Sequence, residues 1–357
     1  MARGSEDGLT FLRLSPSNID ELAVGLSGLH QSVRGERRAP SYWRWCYLNN
    51  PLGKTNTIVA QRAGRVVGRI SIVYLSLSVN GKHLTAGLME GLSVYASERS
   101  WECLRGLLEM HMAESLNDGV SFGFGYNTRL TTELNERLGG TNLGRVPVYS
   151  GFLNVTQFLR GRSVPYPLAL AGWLPQPLAG LKTRGPGRPG LSIKREESFG
   201  ADFDELWSTI EAPRAITVVK DAAYLNWRYV KCPDRRYVRF AAYRAGRLEG
   251  LVVFRMAEAE RKGYILELLA RDNNPEIIGV LLRRSLREMK NSGTGLVSAS
   301  FPAHSPAAAA LRDARFKTWG ARLWDMTFTV VTDRKKESCP ELNFDAWDFS
   351  LGDWLYH

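Results

Sequence analysis

The chain has no run of about 18 apolar residues, so it holds no segment able to cross a bilayer as a helix. Cysteine is scarce: Cys46, Cys103, Cys232 and Cys339 lie far apart, with no CxxC pair and no neighbouring histidine. That spacing excludes a clustered zinc site and a dense disulfide framework, and no metal is expected. Acid is short as well, 36 Asp and Glu against 47 Lys and Arg, which leaves a formal charge of +11. The opening residues, MARGSEDGLTFLRLSPSNIDE, carry acids where an export signal needs an apolar core. A cytoplasmic protein with reduced, structural thiols is expected. Its positive surface would attract phosphates in general: a nucleotide cofactor, nucleic acid, an acidic carrier protein or anionic headgroups.

What the sequence does have is a repeat. Residues 42–71, moved forward by 182 positions, fall without a gap on 224–253, and ten of the thirty positions are identical. The matches are Tyr42/Tyr224, Trp45/Trp227, Tyr47/Tyr229, Pro51/Pro233, Ala60/Ala242, Arg62/Arg244, Ala63/Ala245, Gly64/Gly246, Arg65/Arg247 and Gly68/Gly250. A period this long belongs to a duplicated domain and not to a solenoid, whose units run to about 20–50 residues.

Each half reads in the same order. Ile19, Leu22, Leu26 and Leu29 recur at helical spacing after Ser17 and Asn18, which suit a cap. A hairpin follows, with Thr57 to Gln61 and Val66 to Leu77 joined at Ala63-Gly64-Arg65, and Asn80-Gly81 turns the chain into a third strand near Leu84 to Val94. Cys103, Leu107, Leu108, Met112 and Leu116 then mark a helix; a strand follows at Val120 to Gly125, a short helix at Thr131 to Leu138, and strand-like residues at Arg145 to Val155. The second half repeats this from Phe203, with strands over Val238 to Arg244, Leu248 to Met256 and Tyr264 to Ala270 and a helix over Ile277 to Met289. It ends in strands over Leu296 to Phe301 and Trp324 to Val331, with a helix at Ala307 to Arg312 between them. The expected fold is α/β (α+β), two mixed sheets in tandem domains over 11–156 and 198–333. A Pro/Arg-rich connection over 157–197 and a Trp/Asp-rich tail over 334–357 complete the chain. Residues 1–10 read as a loose tail. In the connection a short helix is expected near Leu168 to Trp173, and Trp173, Leu174, Leu178 and Leu181 are candidates for peripheral membrane contact.

The order helix, antiparallel strands, helix, strand, helix, strand resembles the GNAT acyltransferase fold. In that family the fourth strand ends in a valine and runs into a loop Arg/Gln-x-x-Gly-x-Gly/Ala, whose backbone N–H groups hold the pyrophosphate of acetyl-CoA. Val94 and Arg99 match, while Glu102 and Leu104 stand at the glycine positions; the second loop, Arg271-Asp272-Asn273-Asn274-Pro275-Glu276, also lacks glycine. Asn127 and Leu138-Gly139-Gly140 match the family's later positions loosely, and His304, Ala307, Leu311 and Phe316 fall at its Asn, Ala, Tyr and Phe slots in the second half. The chain is also similar to tandem GNAT proteins associated with bacterial exopolysaccharide synthesis.

The resemblance implies an N-acyltransferase using acetyl-CoA or another acyl-CoA, with the amine of a sugar or other small metabolite attacking the thioester directly. The cofactor site it implies is the main chain of Val94, Tyr95 and Ala96, with Arg99 and Asn127. Strand four usually supplies the base. Glu90 is read as sharing a face with Leu92 and Val94 by alternation, and Glu267 as its counterpart in the second half. Tyr126 is the candidate acid in place of the tyrosine that Leu134 and Leu311 replace; His304 is a further titratable candidate, and His111 reads as structural. An acyl-carrier protein or aminoacyl-tRNA donor suits the charge and needs no glycine loop. A binding module that has lost catalysis is the alternative outside enzymes, and DNA is not an expected partner.

Overall fold

The computed structural model describes residues 3–4, 8–120, 122–137, 139–161, 181–183, 189–318, 326–332 and 343–355. The N-terminal half runs β1 (Arg3–Gly4), β2 (Leu9–Arg13), α1 (Ile19–Arg34), α2 (Pro40–Tyr47), β3 (Thr55–Arg62), β4 (Arg65–Val79), β5 (Lys82–Val94), α3 (Trp101–Asn117), β6 (Phe122–Thr128), α4 (Arg129–Arg137), β7 (Thr141–Arg145), β8 (Tyr149–Phe152) and α5 (Val155–Arg160). The second half runs β9 (Leu191–Arg195), α6 (Ala201–Glu211), β10 (Ile216–Val218), α7 (Ala222–Tyr229), β11 (Val238–Arg244), β12 (Arg247–Ala257), β13 (Lys262–Ala270), α8 (Pro275–Asn291), β14 (Leu296–Ala299), α9 (Pro306–Asp313), β15 (Lys317–Thr318), β16 (Met326–Thr332) and β17 (Trp347–Asp348).

Local chemistry explains the elements. In α1, Ile19, Leu22, Leu26 and Leu29 are all buried, and Gly35 at φ 74° closes the helix by giving its N–H to Gln31 O at 2.8 Å. Ala63-Gly64 and Ala245-Gly246 hold the same positive-φ turn in the two repeats. The repeat also reaches farther upstream than the aromatic motif. β2 begins at Leu9 and β9 at Leu191, 191 − 9 = 182, and each is antiparallel to the first hairpin strand of its sheet. Leu9 therefore opens a strand where a loose tail is expected, and β9 makes residues 191–195 an edge strand, not part of a connection.

The expectation of two self-contained sheets is corrected by the pairing. The first sheet runs β1-β2-β3-β4-β5-β6-β16-β7, with β10 on the long arm of β4 and β17 beside it. The second runs β15-β8-β14-β13-β12-β11-β9. β16, from the end of the chain, thus lies between β6 and β7, while β8, from the first half, lies between β14 and β15. The halves exchange their last strands, so neither sheet is complete without the other half. Alternation in a sequence shows that a segment is a strand but not which edge it joins.

At the centre the two repeats clasp. The Trp45 and Trp227 rings stack 5.1 Å apart, and each indole Nε1 donates to the other's main-chain oxygen, at 2.8 and 3.0 Å. The doubled Tyr-x-x-Trp-x-Tyr is this joint, and it buries two indoles without leaving a donor unmet. Cys46, Cys103 and Cys232 are buried and free. Leu181 is buried in the second core, and Trp173, Leu174, Leu178, the 168–173 helix and Cys339 lie outside the described residues. Among the described residues no helix is long and apolar enough to cross a membrane.

Candidate active site

In each sheet the strands that pair in parallel come apart. β5 and β6 pair only at Gly87↔Gly123 and Leu88↔Phe124; β13 and β14 pair from Lys262↔Leu296 to Ile265↔Ala299. A β-bulge marks each parting. Ser71 faces Gly91 and Ile72 faces Met89, so Glu90 is the extra residue, and Leu266 is the extra residue between Val253↔Glu267 and Phe254↔Ile265. Two expectations change here. The bulge shifts the alternation, so Leu92 and Val94 face α3 while Glu90 turns to the other side, near Tyr42, Cys46 and Tyr47 of α2. By register, Glu267 corresponds to Gly91 and not to Glu90.

The first repeat's V holds a buried polar group. Glu90 is 5% exposed. The Tyr47 hydroxyl meets Ser71 Oγ at 2.9 Å and accepts from the Arg69 guanidinium. Burial pushes the Tyr42 and Tyr47 hydroxyls well above their ordinary range, with Glu90 adding to the shift. Arg38, 1% exposed, stands 4.5 Å over the Tyr42 ring and within reach of the charge on Glu90. Nearby His30 is pushed down to about 3, by burial and then by Arg69, Arg38, Arg34 and Arg235; His111 is pushed down to about 4, by burial and then by Arg13. Both imidazoles take up protons more readily unfolded than folded. Their stabilisation is therefore present above about pH 6.5 and lost as pH falls toward 4 and then 3. Unfolding free energy, measured by denaturant titration, should decline by roughly 1–2 kcal/mol per buried histidine between pH 6.5 and 5, and His111→Asn should flatten that profile.

The second repeat's V is filled by the chain's own tail. Leu351 donates to Ser300 O at 3.0 Å, and a Cβ on Gly352 would run into the Tyr229 hydroxyl and the Glu267 carboxylate. Lys220 Nζ bonds Glu267 Oε2 and Ser350 Oγ at 2.7 Å and lies 3.0 Å from Asp353 Oδ1; Tyr229 donates to Glu267 Oε1 at 2.6 Å. Arg228 donates to Gly352 O and Trp354 O at 3.1 Å. A cavity of about 20 Å³ remains there, room for about one water. Glu267 is thus fully buried in an ion cluster. His304 is exposed on the loop before α9. Tyr126 stacks on Trp354 of the tail, its hydroxyl buried with no hydrogen bond among the described residues and pushed well above its ordinary range by burial, then by Asp353. It faces the second repeat's cluster.

The donor-binding candidates lie on the opposite face. Val94 is buried under α3, the Tyr95 N–H goes to Val67 O at 3.0 Å, and the exposed Arg99 gives Nε to Val94 O at 3.4 Å. Asn127 donates to Gly125 O at 3.2 Å and to Thr329 Oγ1, which holds β16 in place. At the start of α3, Ser100 Oγ accepts from Cys103 N at 3.2 Å, and the Glu102 carboxylate bonds its own N–H and Ser100, which hold it below the usual range. The helix start is therefore capped by its own acid. At α8 the cap is more complete: Pro275 has no N–H, and Asn274 Oδ1 accepts from Glu276 and Ile277 at 2.9 and 3.4 Å. An opening of about 510 Å³ lies near Arg13, Pro16 and Lys54 and is lined by none of the residues of either V; Arg13 there is held by Glu114 and Asp118. Among the described residues no group of three or more His, Cys, Asp or Glu is placed to hold a metal.

Sequence reasoning missed Arg38, Lys220 and Asp353. The signal was available, since 220 − 38 = 182 puts two cations at equivalent places four residues before Tyr42 and Tyr224.

Residues 27–139 match the acetyltransferase (GNAT) domain family. No curated protein matches the chain. Among solved structures, a tandem GNAT protein from the clavulanic acid biosynthesis pathway is 13% identical, with a TM-score of 0.59 over 91% of this chain and 98% of that one. Saccharomyces cerevisiae N-myristoyltransferase with bound myristoyl-CoA is 12% identical, with a TM-score of 0.64 over 93% and 84%. A probable N-acyltransferase from Enterococcus faecalis V583 is 11% identical, with a TM-score of 0.59 over 91% and 73%. These likenesses show the tandem GNAT fold.

Proposed function

We propose that this chain, which carries a GNAT acetyltransferase domain over residues 27–139, is an N-acyltransferase that works at its N-terminal V. One observation carries the choice: the tail fills the second V and a proline and an asparagine close the α8 terminus, while the first V keeps a buried carboxylate at its bulge. The acceptor is the amine of a sugar or other small metabolite, and the donor is an acyl-CoA. The neutral amine attacks the thioester carbon, the C–N bond forms and the C–S bond breaks. Glu90 takes the ammonium proton directly or through one water, and the thiolate is protonated by solvent, since Tyr126 is packed under the tail on the other face. Buried free thiols and a CoA donor suit a cytoplasmic setting. The test is release of free CoA thiol from acetyl-CoA with a panel of amines; no release from any acyl-CoA with any amine would overturn the reading.

The self-capped α3 terminus favours a second donor reading, an acyl-carrier protein or aminoacyl-tRNA, neither of which needs a diphosphate at that helix. Glu102→Gln separates the two. If acyl-CoA binds there, removing the opposing charge should tighten binding by about two- to fivefold in calorimetry. Unchanged acetyl-CoA binding, together with steeply salt-dependent binding of carrier protein or tRNA, would favour the other donors.

A further inference from the structure

Arg38 is buried to 1% exposure, yet none of its three guanidinium nitrogens has a hydrogen bond among the described residues. It makes ion pairs with Glu36 at 3.4 Å and Asp234 at 3.9 Å, neither of them a hydrogen bond, and each carboxylate has a second partner: Glu36 pairs with Arg235, and Asp234 accepts from Ala39 N at 3.3 Å. Two more guanidinium groups face the same place from the other half. Arg235 and Arg255 each have a buried Nε without a hydrogen bond, and each feels the other's charge and that of Glu36. A buried guanidinium presents five donors and cannot shed its charge, so it is costly without an acceptor. Arg38 also feels Glu90, so the three guanidinium groups stand against three carboxylates, and what invites an anion is their unfilled hydrogen-bonding capacity and not an excess of charge. The Glu36 side chain is 45% exposed and that of Arg235 16%, so the cluster reaches solvent on that side, while Arg38 lies within reach of the charge on Glu90. It also lies on the α2 side of β5, opposite the α3 terminus considered for the donor.

We propose that Arg38, with Arg235 and Arg255, binds a carboxylate of the acceptor, so that the substrate is an amine carrying a carboxylate, as in an amino acid. The inference rests on the acyltransferase reading for the word acceptor, but its first test does not. N-acetylglycine, which has a carboxylate and no free amine, is titrated into the full chain by calorimetry beside N-acetylglycinamide and inorganic phosphate. The acid should bind and its amide should not. Arg38→Gln and the less buried Arg255→Gln should each weaken binding by about tenfold or more, the loss expected for a charged hydrogen bond. Should Arg38→Gln fail to fold, Arg255→Gln carries the same reading. In thiol-release assays, amino acids should exceed their amides as acceptors, and Arg255→Gln should raise KM more than it lowers kcat. Tighter binding of phosphate than of the acid, or binding unchanged in both variants, would overturn the inference. Arginine-dependent binding of N-acetylglycine with no amine acylated would uphold the site and sink the acyltransfer reading instead.

Discussion

Glu90→Gln should slow acyl transfer by about 10²–10⁴-fold while leaving the affinities for donor and acceptor nearly unchanged. The bulge makes Glu90 the residue that β4 does not pair, at the point where β5 leaves β6. It sits 5% exposed on the face that carries α2. Gln keeps the shape and most of the hydrogen bonding there but cannot accept a proton. The loss should therefore appear in kcat and not in KM, and it should shrink at high pH, where the amine gives its proton to solvent. Glu267→Gln is the control, since that carboxylate is enclosed with Lys220 and Tyr229 beneath the tail and should change kcat little. Equal activity of Glu90→Gln and the unchanged protein across pH would end the base assignment.

The repeat, its hairpins and the strand order of a GNAT fold were legible because they are local: a 182-residue offset, alternation, and turn residues at fixed places. The exchange of β8 and β16 was not, because each strand carries the same alternation whichever sheet it joins. A bulge was equally silent. One inserted residue turned Glu90 away from Leu92 and Val94, and nothing in Met89-Glu90-Gly91 announces that beyond the glycine, which adopts φ 129°. Tyr126 and Asn127 stand at the strand end as expected, but the elements they meet, the tail and β16, come from about 200 residues farther along the chain. The pairing of Arg38 with Lys220 was present in the offset and became meaningful only with burial, which separates a solvated cation from one enclosed at 1% or 3% exposure.

Lys220→Met should lower the unfolding free energy by about 3–5 kcal/mol, because it leaves two carboxylates buried without their cation. Burial works against the charge on Lys220, but Asp353 and Glu267 outweigh it and hold its pKa above the ordinary 10.5. The Glu267 pKa is raised too, first by burial, with Lys220 opposing. Removing the lysine takes away that opposition, so Glu267 should be driven toward its neutral form and the Tyr229 and Ser350 contacts should loosen. A protein whose halves lend each other a strand should unfold as one unit, so the melting temperature should fall by about 4–7 °C in a single transition. Hydrogen exchange should place the first loss of protection at residues 350–354, where Ser350 N reaches Asp353 Oδ2 at 2.7 Å and Arg228 holds Gly352 O. The sign with pH follows from the raised pKa: Lys220 stabilises the native state below about pH 10.5, and that contribution is lost as pH rises through its folded value. Lys220→Met should therefore lose its deficit relative to the unchanged protein at strongly alkaline pH. Glu267→Gln, which leaves Lys220 one carboxylate partner in Asp353, should cost much less than Lys220→Met. A deficit below about 1 kcal/mol in Lys220→Met, with the tail still protected, would mean that the triad does not hold the tail in the second V.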